Sequence, residues 1–139
     1  MAKSVKDVMT SNPATVEPDA KLTDAARIMR DEDTGVVPVL EGDRLVGTVT
    51  DRDLVIRALA EGKDAQSTSV REVASTDLVT VDPQQDLDEA LRLMAQHQVR
   101  RLPVVEEDGR LVGSVSPADV ARQADDARTG ELVEEISRP

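Results

Sequence analysis

The chain is written twice. Val5-Lys6-Asp7-Val8 recurs as Val70-Arg71-Glu72-Val73, and Thr15-Val16-Glu17-Pro18 as Thr80-Val81-Asp82-Pro83. Val37-Pro38-Val39 recurs as Leu102-Pro103-Val104, so all three pairs lie 65 positions apart. Leu45-Val46-Gly47 then recurs as Leu111-Val112-Gly113, at an offset of 66. The extra residue falls where Glu41-Gly42-Asp43 is matched by Glu106-Glu107-Asp108-Gly109, two segments that read as hairpin turns. An internal repeat of this length constrains the fold more than any local signal.

Each half carries the same pattern. A short extended piece, Ala14 to Glu17 or Leu78 to Asp82, ends at a proline. Leu22, Ala25, Ala26 and Met29 then have helical spacing, as do Leu87, Ala90, Leu91 and Met94. Two strands rich in branched residues follow: Val36 to Leu40 with Leu45 to Thr50, and Leu102 to Glu106 with Leu111 to Ser116. A second helix closes each half, marked by Leu54, Ile56, Leu59 and Ala60 in the first and by Val120, Ala121 and Ala124 in the second. The expected fold is α/β (α+β), with β-α-β-β-α units in tandem. Residues 1–62 form the first motif with a lead helix, 63–69 a linker, 70–127 the second motif and 128–139 an acidic tail. One half alone buries too small a core. The halves are therefore expected to pack as a pseudo-two-fold module with a functional cleft between them.

The core must be aliphatic, because the 139 residues include no Phe, Trp or Tyr. No ring is available to stack on a base. The formal net charge of −11 argues against nucleic acid and anionic membranes as partners. Without cysteine there is no disulfide and no thiolate metal site, and no metal site is expected. The N-terminus has no apolar run of the signal-peptide kind, so a cytoplasmic location is expected. No recognisable nucleophile motif or glycine-rich phosphate loop is present, and His97 is the sole histidine. An enzyme is not expected.

The chemistry-bearing signature is Gly-x-hydrophobic-Thr/Ser-x-x-Asp. It stands as Gly47-Thr48-Val49-Thr50-Asp51-Arg52-Asp53 and as Gly113-Ser114-Val115-Ser116-Pro117-Ala118-Asp119. Capping explains both copies: Thr50 and Ser116 suit an N-cap, Asp53 and Asp119 the N3 position, and Pro117 suits N1. A nucleoside-phosphate site explains them too, with a hydroxyl and helix N–H groups on phosphate and a carboxylate on the ribose hydroxyls. Both readings stay open on spacing alone.

The full series of elements resembles the CBS domain pair, or Bateman module. It comprises Val5 to Thr10, the Thr-Val-x-Pro strand, the helix, the hydrophobic-Pro-Val strand, Leu-Val-Gly and Thr/Ser-x-x-Asp, in order from about Val5 to Ala124. The compact chain is similar to small stand-alone bacterial members. The resemblance implies a non-catalytic sensor for AMP, ADP, ATP, NAD or S-adenosylmethionine, with no required cofactor, and a homodimer. Asp53 and Asp119 would then hold ribose, and Thr50 and Ser116 phosphate. The backbone around Ala14-Thr15 and Val79-Thr80, with Val37 and Leu102, would line the adenine pockets.

Arg52 lies inside the first motif, while Arg100-Arg101 precede the strand of the second, where family members place cations near phosphates. This predicts the second site as the better phosphate site. Arg100 and Arg101 serve equally well as surface ion-pair partners. The competing function is a ligand-free module of the same fold that docks a protein partner through its helices. The stripe Leu132, Val133 and Ile136 in the tail is a candidate for such contacts.

Overall fold

The computed structural model describes residues 3–122. A lead helix α1 (Val5–Val8) runs into the short strand β1 (Thr10–Ser11). Then come α2 (Leu22–Glu32), β2 (Val36–Glu41), β3 (Arg44–Thr50) and α3 (Asp51–Asp53). The last continues as a π-helical segment over Leu54–Leu59, where the Ala60 N–H donates to the Val55 carbonyl at 2.9 Å. The second repeat begins with a 3-10 turn (Val70–Glu72), followed by α4 (Leu87–His97), β4 (Leu102–Val105) and β5 (Leu111–Val115). A helix α5 starts at residue 117.

The repeats exchange their lead segments. β1 pairs antiparallel with β5, giving a sheet of order β1-β5-β4, while Ser75 bridges Thr48 at the edge of the β2-β3 sheet. The Val5 N–H donates to the Gln85 carbonyl and the Lys6 N–H to that of Pro83. Their pseudo-mates repeat the pattern, Val70 N–H to Ala20 and Arg71 N–H to Pro18. Burial follows the same exchange. Val5 and Val8 sit in the second core with Val81, Ala90, Met94, Leu102, Val104 and Val115. Val70 and Val73 sit in the first, with Leu22, Ala25, Val37, Val39 and Val49. The segment read as a linker is pinned, with the Leu22 N–H on the Thr68 carbonyl at 3.1 Å and Thr68 buried.

Two glycines allow the exchange. A Cβ on Gly113 would stand 2.8 Å from the Thr10 carbonyl oxygen, and one on Gly47 2.9 Å from that of Ser75. The Leu-Val-Gly repeat marks the place where each foreign strand is laid against the sheet.

Three local expectations are corrected. The strand expected from Ala14 to Glu17 reduces to a single parallel bridge from Val16 to Val39, and that from Leu78 to Asp82 to one from Val81 to Val104. In α2 it is Ile28, not Ala26, that joins Leu22, Ala25 and Met29 on the core. After α3, Ala58 and Leu54 face inward while Ile56 and Leu59 are exposed, because π-helical winding rotates the apolar stripe away from its α-helical positions. The tail residues Leu132, Val133 and Ile136, and Ala124, lie outside the described residues.

Candidate functional site

Thr50 ends β3 in extended geometry and turns the chain into α3. Its Oγ1 accepts from the Asp53 N–H at 3.0 Å, and Asp53 Oδ2 accepts from the Thr50 N–H at 2.9 Å. The cap therefore uses one carboxylate oxygen. The other, Oδ1, has Arg57 Nε at 3.8 Å, and the Asp53 side chain keeps 12% of its exposure. Capping and ligand holding are compatible here.

The second copy is engaged differently. Asp119 Oδ2 accepts from the Ser116 N–H at 2.9 Å and from Ser116 Oγ at 3.0 Å. Oδ1 accepts from Thr10 Oγ1 at 3.0 Å and from Arg122 Nη2 at 2.6 Å. The side chain is 4% exposed. Ser116 is buried with it.

Between the repeats lies a cleft of about 760 Å3. Thr50, Arg52 and Asp53 form one wall, and Val79 with Ser75 and Asp77 of the exchanged segment another. The turn from Gln98 to Leu102 closes it and carries Arg100 and Arg101. Gln98 ends α4 in the left-handed region (φ 55°), which swings this turn across the pseudo-axis onto the first repeat. Of the two cations assigned to the second site, Arg100 thus lines the Asp53 cleft alone and Arg101 only in part. Arg100 and Arg101 reach it from the turn after α4, so this cleft, as expected, lies between the repeats and is lined by both. Among the described residues, Arg52, Arg100 and Arg101 form no ion pair.

A smaller pocket of about 220 Å3 is its pseudo-symmetric counterpart, lined by Thr10, Ala14, Glu32, Arg101 and Ser114 among others. Neither Ser116 nor Asp119 lines it. Arg101 borders both cavities and donates to Ser114 Oγ at 3.4 Å.

The helix N-terminus does not offer its first amides to a phosphate. The Asp51 N–H donates to the Gly35 carbonyl at 2.9 Å, and that of Arg52 to Asp51 Oδ1 at 2.8 Å. Among the side chains lining the large cleft, Arg52, Arg100, Arg101 and the Thr50 hydroxyl are able to donate to an anion.

The CBS domain family model matches residues 5–59 and 70–126, the two repeats. The chain belongs to the CBS domain family. This CBS pair is 44% identical over 135 residues to the CBS domain-containing protein YhcV of Bacillus subtilis, covering 96% of the chain and 95% of that protein. It is 39% identical over 137 residues to Hypoxic response protein 1 of Mycobacterium tuberculosis, covering 98% and 95%. A crystal structure of Hypoxic Response Protein I with two coordinated zinc ions matches at a TM-score of 0.78, with 41% identity over 86% of this chain and 98% of that one. That of CBSX2 in complex with AMP matches at 0.77, with 28% identity over 90% and 98%.

Of the adenine-pocket residues that the family resemblance implied for this CBS pair, Val79 and Leu102 line the large cleft and Ala14 the small one. Thr15 and Thr80 line neither. Val37 is fully buried in the first core and also lines neither. Sequence reasoning missed Ser75 and Asp77, which reach the cleft only through the exchanged segment, and Thr10, 109 positions from Asp119. Arg122 carried a legible signal, its i,i+3 spacing from Asp119. Among the described residues no group of three or more His, Asp or Glu is placed to hold a metal, and His97 ends α4 exposed. No helix there is long and apolar enough to cross a membrane.

Proposed function

We propose that this CBS pair is a non-catalytic regulatory module that binds an adenosine nucleotide in its larger cleft. The observation that carries the reading is the convergence in one cavity of a carboxylate oxygen left over by capping and three arginines without ion pairs. The cavity falls within the roughly 300–1,000 Å3 common for small-molecule sites. Asp53 Oδ1 accepts the ribose hydroxyls. Arg52, Arg100 and Arg101, with the Thr50 hydroxyl, take the phosphate. Val79 and Leu102 supply aliphatic walls for adenine, whose edge is read by backbone groups. The AMP complex of CBSX2 supports the choice of ligand class. With a net charge of −11, neither nucleic acid nor an anionic membrane is part of this reading.

Calorimetric titration tests it. AMP, ADP or ATP is expected to give a saturable heat, and Arg100→Ala to weaken AMP binding by about tenfold. No heat from AMP, ADP, ATP, NAD or S-adenosylmethionine would leave the protein-docking function in its place.

A homodimer belongs to the same reading. Val55, Ile56 and Leu59 present an apolar strip 52%, 50% and 74% exposed, and among the described residues Val99 is the one other exposed large hydrophobic. The pseudo-mates of Val55 and Ile56 are Ala121 and Arg122, so the strip has no counterpart in the second repeat. A second copy related by two-fold symmetry would bury the strip against itself. Sedimentation is expected to give a dimer for the native chain and a monomer for Leu59→Glu. A native monomer contradicts the dimer but not the nucleotide site.

A further inference from the structure

We infer that the protein blocks its own second cleft, with Thr10 and Arg122 holding Asp119, so that each chain has one nucleoside site. The inference rests on the nucleotide reading for what the blocked cleft would bind.

A carboxylate offers about four acceptor positions. At Asp119 the two on Oδ2 are filled by the Ser116 N–H and hydroxyl, and those on Oδ1 by Thr10 and Arg122. A ribose diol arriving there finds no vacant acceptor. It must displace a guanidinium at 2.6 Å and a hydroxyl at 3.0 Å from a carboxylate that has almost no water to fall back on. Asp53 has no such lock. Its pseudo-mate of Arg122 is Ile56, which cannot donate, and Arg57 stays at 3.8 Å.

The small pocket that Thr10 lines agrees, and Asp119 does not line it. Its 220 Å3 falls below the usual range for a ligand site, roughly 300 Å3 upward, and Glu32 on its rim repels phosphate. Arg101, its one lining cation, also borders the open cleft.

The lock is carried by two side chains that can be removed without touching the Asp53 cleft. Arg122 is 71% exposed, so Arg122→Ala disturbs no core packing. Thr10→Val keeps the shape of β1 while deleting the donor. Adenosine is the probe, since it has no phosphate for Glu32 to repel. Its binding sites per chain are counted by calorimetry for the native protein, Arg122→Ala, and the Thr10→Val/Arg122→Ala pair, with thermal unfolding as a check that each is folded. The expected result is one more adenosine per chain in at least one unlocked protein than in the native one. That gain supports the lock even if the native chain binds no adenosine, a result that would instead remove the Asp53 reading. Two sites in the native protein, or no gain in folded Arg122→Ala and the pair, overturns the lock.

Discussion

Asp119→Ala is expected to lower the thermal midpoint by roughly 10 °C and to leave AMP affinity within about threefold of the native value. Asp53→Ala is expected to do the reverse, lowering the midpoint by only about 3 °C and weakening AMP by about 100-fold. The two residues occupy the same position of the repeat, so the contrast comes from their partners. Removing Asp119 deletes the carboxylate half of a capping box, at about 1 kcal/mol. It also deletes the Thr10 hydrogen bond to a buried carboxylate, a class worth roughly 1.5–3 kcal/mol. The Arg122 contribution is discounted because its guanidinium is mostly solvated. The total is about 3 kcal/mol. Asp53 loses its half of a capping box and a 3.8 Å ion pair with the solvated Arg57, which counts for little, because Oδ1 has no hydrogen-bond donor among the described residues. That same oxygen is what a ribose would use, hence the loss of affinity. Thermal scans and titrations of the two variants check this. Equal losses of affinity at both positions would contradict the asymmetry.

Gly113→Ala and Gly47→Ala are expected to destabilise by about 2 kcal/mol each, the order of an overpacked core. At Gly113 the added methyl meets Met9 Sδ at 2.7 Å and the Thr10 carbonyl at 2.8 Å. The thioether can move, but the carbonyl belongs to β1, which is bonded in register to β5. At Gly47 the methyl meets the Ser75 carbonyl at 2.9 Å, and Ser75 lines the large cleft. Gly47→Ala is therefore expected to weaken AMP binding by about tenfold as well, while Gly113→Ala leaves it nearly unchanged. Chemical denaturation and titration separate the two. Full stability in both variants would mean that the exchanged strands do not approach as closely as described.

The repeat made the element order legible, because a shared offset reports a duplicated unit whatever its partner. The helices α2 and α4 were legible from their apolar spacing, and β2 to β5 from branched residues around turns. The exchange of lead segments was not. Val5 and Val70 fit either core equally well by type, and only the path of the chain decides which one they fill. The turn after α4, not the exchange, hid two of the cleft's cations: Arg100 and Arg101 sit in the second repeat by sequence and line the Asp53 cleft, with Arg101 bordering the smaller pocket as well. At Thr50-x-x-Asp53 and Ser116-x-x-Asp119 the identical pattern gave no hint that one carboxylate keeps an oxygen open and the other spends both. That difference lies in Thr10 and Arg122, one far away in sequence and one a single helical turn on. Spacing alone leaves the first amides of α3 open to phosphate as well as to capping; the Gly35 carbonyl and the Asp51 carboxylate take them.

One cleft, built on Asp53, is proposed to hold the nucleotide. A crystal structure of the native protein grown with AMP tests it most directly. One AMP per chain is expected, with ribose hydroxyls within hydrogen-bonding distance of Asp53 Oδ1, phosphate among Arg52, Arg100 and Arg101, and Asp119 still bonded to Thr10 and Arg122. AMP seated on Asp119, or on both aspartates, would contradict it.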